Sequence, residues 1–443
     1  MENTKKSFFK KPADYFEFSK HKTNYRIEIL AGVSTFLALS YIFVVNPAIL
    51  GEAGMNKSAV LFATIVASAL ATLVMGLWAK KPFVLAPGME MNAYVAFFVV
   101  LVLGFSWQEA LGAVFWSGVL FFVLTLTGFR KKIINAIPDK MKSGLALSVG
   151  VFLMLIALRL AGILLYEGVS IKGIGVLLSP MSYVFYFGLI AVLVLRKFKV
   201  PGSVLISIIF ASVFAHFLGL GEVKEPIKIS AEMFGAIFKL DLGVIFNLRI
   251  LSVILVLFLI DFYGSIAKFI GLTRRTSIVD KNGEMPRMKE AMLVDGTANS
   301  VGAVLGTTSI ITYVESAVGI AEGGRTGFTA VVAAILMFAF ILLTPIVNLV
   351  PLIATTGALF WVGIALFPHR EDLKTYTKLD IISVLLMIVA VIVTFAIDKA
   401  LLIGFAIFIL GLIISGRFKE INPYMVLSTI LLLIGWIFSV ILK

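Results

Sequence analysis

The sequence predicts an all-α polytopic membrane protein, with about 14 transmembrane spans arranged as two inverted seven-span repeats. Three observations carry this. The 443 residues are 60% hydrophobic and 14% charged, with a mean hydropathy of +1.05, against roughly 45–50% and 25% for soluble domains. Apolar runs of about 20 residues, the length that crosses a bilayer, recur along the chain. Lys and Arg are divided unevenly between alternate loops, which orders those runs across a membrane.

Taken in order, the spans are read at about 27–49, 58–78, 84–103, 108–128, 143–165, 181–196 and 201–219. A second set follows at about 248–270, 293–305, 309–322, 326–349, 350–367, 379–397 and 398–416. The segment 423–442 is either a further span or a helix lying against the bundle. With the N-terminus inside, the inner segments hold 28 Lys and Arg and the outer ones 7; Arg159, Arg249 and Lys268 lie within or at the ends of spans. That asymmetry predicts a cytoplasmic N-terminus, and a multi-pass place in the cell (plasma or inner) membrane is expected. It also accounts for the net charge of +13, which is spread over loops and forms no nucleic-acid patch. The first 26 residues lack the apolar core of a cleavable signal, so the first span is expected to do its own targeting.

A set of seven spans is odd, so the second set enters with opposite polarity. Two spans are interrupted at matching places. The third, FVLAPGMEMNAY, breaks at Pro87, about 60 residues after the first span begins, and the tenth breaks near Ser309–Tyr313, about 60–65 residues after the eighth begins. Pro87 lacks an N–H and disfavours helix at Ala86, while Gly88 allows close backbone approach. An extended segment to Ala86 and a half-helix from near Gly88 are expected, and the same for the tenth span, where Ser309, Thr312 and Ser316 can satisfy the broken backbone. Half-helix N-termini meeting at mid-bilayer would form a polar pocket for an anion or a planar polar solute.

The candidate residues line that pocket. Glu315, flanked by Thr312, Tyr313 and Ser316 in GTTSIITYVESAVGIAEGGRTGFT (306–329), is a carboxylate at membrane depth, which costs at least about 2.5–3.5 kcal/mol and points to a cavity. It can accept from ring N–H groups or hold a coupling proton. Asn92, one turn into the first half-helix, donates and accepts; it is either a satisfied core amide or a shaper of the site. Glu90 is either a partner for a cation in the bundle or a functional acid. On span 8, Asp261 and Lys268 share a helical face about two turns apart, with Tyr263 and Gly264 between; Lys268 alternatively snorkels to the inner interface. His216, near an outer boundary, is a weak candidate for a proton relay. The segment 221–247, with Phe234, Ile237 and Phe238 at helical spacing, reads as a surface-lying joint between the halves. There is no cysteine, no nucleotide loop and no catalytic motif, so no enzyme activity, cofactor or metal is expected, and uphill transport would draw on an ion gradient.

The runs EILAGVSTFLALSYIFVVNPAIL (28–50), VLAPGMEMNAYVAF (84–97), LIDFYGSIAKFIG (259–271), DKNGEMPRMKEAMLVDG (280–296) and LGTTSIITYVESAVGIAEGGRTGFTAVV (305–332) resemble the nucleobase/cation symporter family, within the xanthine/uracil permease superfamily. The similarity is greatest to its azaguanine-like branch, which carries hypoxanthine, guanine and adenine, and it spans residue 26 to about 370. It implies a core domain (27–128, spans 1–4, with 248–349, spans 8–11) and a gate domain (129–220, spans 5–7, with 350–416, spans 12–14). The N-terminal segment 1–26, the connection 221–247 and the tail 417–443 lie outside both. It implies short antiparallel strands in spans 3 and 10 and a substrate site between those strands and span 8, with Asn92 and Glu315 at positions for purine binding and Asp261 at an acid usual in span 8. From the residues themselves, Gly88, Tyr263, Gly264, Ser309 and Thr312 join the substrate candidates, and Glu90, Asp261 and Lys268 are the candidates for coupling to H+ or Na+. The oligomeric state stays open between monomer and homodimer.

The chain departs from the branch at Gly264, where a second aspartate is usual, at Glu90, where glycine is usual, and at Lys268, where a small polar residue is usual. Glu90 is expected to take over the missing charge. A transporter or channel for another small anion or polar solute on the same fold is the alternative those three residues raise.

Overall fold

The structure is a computed structural model and describes residues 12–127, 139–167, 170–200, 202–220, 230–273, 278–279, 285–347, 349–367 and 374–441. It is an inverted-repeat bundle of apolar helices, five of which are, among the described residues, long and apolar enough to cross a membrane on their own.

Span 1 is two helices, Tyr25–Leu39 and Ile42–Glu52, parted at Ser40 and Tyr41. Its start is capped by Asn24, whose side chain accepts from the Ile27 N–H at 3.0 Å. Span 2 is Lys57–Val74 with a wider terminal turn to Ala79. Span 3 is strand β1, Leu85–Pro87, then a helix from Met89 that widens over Tyr94–Val100. Span 4, Trp107–Leu126, opens on a Ser106/Glu109 capping box. Spans 5, 6 and 7 are Asp139–Leu160, Pro180–Lys197 and Ser203–Phe217. Between spans 5 and 6, β2, Leu164–Glu167, pairs with β3, Ser170–Ile174, so residues 164–165, read as the end of span 5, are in a strand.

The second repeat continues with span 8, Leu248–Thr273, and span 9, Met288–Leu305. Span 10 is strand β4, Ile310–Thr312, with the short helix Ser316–Ala321. Spans 11 to 14 include Gly327–Ala339, Thr356–Ala365, Lys378–Thr394 and Ile397–Ile414. The tail forms a helix, Pro423–Ile441, packed on spans 8 and 14.

Packing sorts the spans into two groups. Spans 1, 2 and 4 pack on 8, 9 and 11, with the broken spans enclosed, while spans 5 and 6 pack on 12 and span 5 also on 13. Each group has a crossing that only glycine permits: a Cβ on Gly327 would lie 2.0 Å from the Gly76 carbonyl, and one on Gly363 would lie 2.5 Å from that of Gly150.

The connection before span 8 differs from the surface helix suggested by Phe234, Ile237 and Phe238. It forms two short 3-10 turns, Ala231–Phe234 and Leu242–Phe246, while 221–229 lies outside the described residues. Its backbone is stitched to the ends of spans 4 and 9: Phe238 N–H donates to Val304 O at 2.8 Å, Asp241 N–H to Gln108 O at 3.0 Å, and the Trp116 indole to Leu242 O at 2.9 Å. Those bonds set the chain's course over the bundle, and Phe234 and Phe238 stay exposed.

Candidate functional site

The two interrupted spans meet as an antiparallel pair in the middle of the enclosed group. Leu85 faces Thr312, Ala86 faces Ile311 and Pro87 faces Ile310. The ladder runs on at both ends, with Gly88 N–H donating to Ser309 O at 3.0 Å and Tyr313 N–H to Val84 O at 2.9 Å. Gly88 is required here, since a Cβ would sit 2.5 Å from Ile311 Cδ1. Extended backbone this deep must find every partner within the protein. Leu85 N–H therefore donates to Thr72 Oγ1 at 2.9 Å, Val84 N–H to Ser316 Oγ at 3.0 Å, and Thr312 N–H to Asp295 Oδ1 at 2.7 Å.

At one end of the pair stands Asn92. Its Oδ1 accepts from the Thr308 hydroxyl, while its Nδ2 is buried with no hydrogen-bond partner among the described residues, as is Ser309 Oγ. At the other end stands Glu315. Its Oε1 accepts from the Tyr41 hydroxyl at 2.9 Å, and its Oε2 has no partner among the described residues. The break in span 1 places Tyr41 there. The Tyr313 hydroxyl closes the crossing by donating to Pro87 O.

Asp261 and Thr312 join a second network. Thr312 gives both its N–H and, at 2.7 Å, its hydroxyl to Asp295 Oδ1. Ser265 contacts Asp295 Oδ2 and, at 3.2 Å, Asp261 Oδ1, and Asn299 Nδ2 donates to Asp261 Oδ2. Thr312 is thus a backbone strap, and Asp261, 2% exposed, is engaged from two sides. Lys268 lies 3.2 Å from Glu90 Oε1. The ammonium is anchored in the bundle, not extended to the interface, and Glu90 faces a cation. A Cβ at Gly264 on span 8 would meet no atom within 4 Å among the described residues; the side chain of Tyr263 lies outside them. His216 bonds the Ser212 carbonyl of its own helix at 2.8 Å, away from this site.

Several residues were not singled out from the sequence: Asp295, Ser265, Asn299, Tyr41, Thr72, Thr308 and Glu28. Asp295 had a visible signal, a carboxylate within an apolar span, the same feature that marked Glu315. Glu28 explains the GGRTG turn. Its Oε1 accepts from Arg325 N–H at 3.0 Å, and its Oε2 from Thr329 N–H at 3.2 Å and from the Thr329 hydroxyl, so it caps span 11 from the first repeat. The second half-helix is consequently short, ending before Gly323, whose φ of +102° turns the chain.

The chain is similar to a putative permease of Methanocaldococcus jannaschii, 39% identical over 92% of this chain and 94% of that protein. It is 31% identical to the adenine permease AdeP of Escherichia coli, over 96% and 95% of the two chains, and 33% identical to the guanine/hypoxanthine permease PbuO of Bacillus subtilis, over 95% and 99%. Its fold resembles the transmembrane domain of a cyanobacterial bicarbonate transporter, BicA, with a TM-score of 0.60 at 16% identity over 92% and 97% of the chains. It also resembles the murine anion transporter Slc26a9, with a TM-score of 0.64 at 12% identity over 94% and 74%. Residues 26–399 match the model of the permease family Xan_ur_permease, and this chain belongs to that family of multi-pass membrane permeases.

Proposed function

We propose that the chain is a secondary active transporter that imports a nucleobase, a purine such as hypoxanthine, guanine or adenine, across the cell membrane by ion-coupled alternating access. The observation that carries this reading is an acceptor, Glu315 Oε2, and a donor, Asn92 Nδ2, both without a partner among the described residues, at the two ends of one buried strand crossing. A nucleobase ring presents N–H donors beside lone-pair acceptors and can answer both. Adenine and guanine/hypoxanthine permeases among the relatives support the same class.

Proton coupling would use the Asp261–Ser265–Asp295 chain. A hydroxyl has one proton to give, so Ser265 serves one carboxylate at a time and the other can carry a proton of its own. Alternating access would move spans 1–4 and 8–11 as a core against spans 5–7 and 12–14 as a gate. The charge asymmetry of 28 to 7 favours a cytoplasmic N-terminus. An anion carrier would draw on a net positive charge at Lys268, and Glu90 offsets that charge while taking only one of the three ammonium N–H donors.

Thermal-shift titration of the purified chain with purines, pyrimidines and organic anions, followed by competition uptake, tests the proposal. Stabilisation by a purine is expected, since a ligand of the folded state raises its stability by mass action. Stabilisation by anions with none from any nucleobase would overturn it.

A further inference from the structure

Asp261, Gly264 and Lys268 stand on one face of span 8, at spacings of three and then four residues. At Gly264 this face is open: a Cβ built there meets no atom within 4 Å among the described residues. One turn further on, Lys268 Nζ pairs with Glu90 at 3.2 Å, the two side chains being 13% and 15% exposed. Span 8 packs on β4 and on the helix Ser316–Ala321 that Glu315 precedes, and Glu90 lies two residues before Asn92 on the helix that follows β1. The ion pair therefore joins span 8 to the helix that carries Asn92, beside the strand crossing whose other end holds Glu315.

The chemistry of that wall follows from the ammonium. It has three N–H donors and no acceptor, and Glu90 takes one of them. Glu90 also offsets the cost of an ammonium at this depth and fixes its stem. The wall is thus a donor, while Glu315 Oε2 is an acceptor. An acid at position 264, as the resemblance would have it, would make the same wall accepting.

Resting on the nucleobase reading, we infer that Lys268 is the specificity-determining donor of the site, and that with Gly264 it selects purines bearing an exocyclic oxygen over those bearing an exocyclic amine at the same ring position. The oxygen accepts from Lys268 while a ring N–H is given to Glu315. In adenine the amino group would point a donor at a donor, and the site's own donor would be left unpaired.

Competition binding to the purified full-length chain decides this. Hypoxanthine and guanine are expected to bind more tightly than adenine by about tenfold or more, the value of one charge-assisted hydrogen bond. Lys268→Met combined with Glu90→Gln removes both charges together and is expected to bring that ratio close to one, through loss of oxopurine affinity. Adenine binding as tightly as hypoxanthine to the unaltered chain overturns the inference. So does an unchanged ratio in the double variant. Should that variant fail to fold, the ranking in the unaltered chain decides alone. If no nucleobase binds the unaltered chain at all, the proposed function itself fails and takes this inference with it, an outcome distinct from a flat preference among purines.

Discussion

Leu85 and Thr312 face each other across the strand pair, and each sends its N–H away from the partner strand to the preceding helix of its own repeat. In the first repeat the acceptor is the Thr72 hydroxyl on span 2; in the second it is the Asp295 carboxylate on span 9. The positions correspond, so the strand geometry is met by a neutral group in one half and a charged one in the other. A hydroxyl is sufficient for the strap. A carboxylate at this depth carries an added insertion cost of about 2.5–3.5 kcal/mol, which the backbone does not require. What distinguishes Asp295 is its second oxygen, which meets Ser265 and through it Asp261. The ends of the crossing repeat the pattern: the neutral Asn92 belongs to the first repeat and the acidic Glu315 to the second. The first repeat supplies scaffold polarity and the second supplies most of the acids.

The largest effect that tests this contrast is expected from Asp295→Ala. It leaves the N–H and hydroxyl of Thr312 without their acceptor, at about 1–3 kcal/mol each, and removes one end of the acid chain, so both folding and uptake should fall. Thr72→Val takes the acceptor from Leu85 N–H and the donor from Leu85 O, so a loss of about 1–3 kcal/mol in thermal unfolding is expected with substrate coupling kept in the protein that folds. Equal loss of coupling in both variants would erase the distinction between the repeats. Next come the ends of the crossing. Glu315→Gln keeps an oxygen for the Tyr41 hydroxyl but removes the charge, and a drop in nucleobase affinity of about 10- to 100-fold is expected by equilibrium binding. Asn92→Ala removes a neutral partner and should cost about tenfold or less. The reverse order would place the main anchor in the first repeat.

The fold was legible because a bilayer leaves few choices: span length, loop charge and the Pro87–Gly88 break each answer a single physical constraint. Glu315 was legible for the same reason. Asp295 was equally visible as an acid in an apolar run, yet span 9 has no break to draw the eye. Tyr41 was hidden because nothing in LALSYIFVVNP marks a parting at Ser40; the proline there, Pro47, lies inside the second helix. Partner choice was the least legible part. Glu90 was read either as a partner for a cation in the bundle or as a replacement for the acid missing at Gly264, and nothing in the sequence pointed to Lys268 as that cation, a pairing across 178 residues that depends on how the repeats interlock. Glu28, reaching Thr329 across 301 residues, was hidden for the same reason.

The smallest effect at neutral pH concerns how the chain enters each strand. β4 is approached through the uncharged run Gly306–Ser309, whereas β1 is approached past Lys81, which is 5% exposed. Burial, reinforced by the nearby positive charges of Arg287 and Lys20, holds the Lys81 ammonium down to about 8 from an ordinary 10.5, against the weaker pull of Glu17 and Glu290. The unfolded chain therefore keeps this proton across a window in which the folded chain has released it, and stability must rise with pH from about 8 to 10.5. The slope contributed by this one group is at most about 1.4 kcal/mol per pH unit. Below that window both states are protonated, the slope vanishes, and the cost of burying the charge is present in full. Lys81→Met should then raise the unfolding temperature at pH 7 and flatten its rise above pH 8, relative to the unaltered chain measured alongside. If the two profiles run parallel, Lys81 is not the group responsible, and the approach to the first strand is as indifferent to protons as the approach to the second.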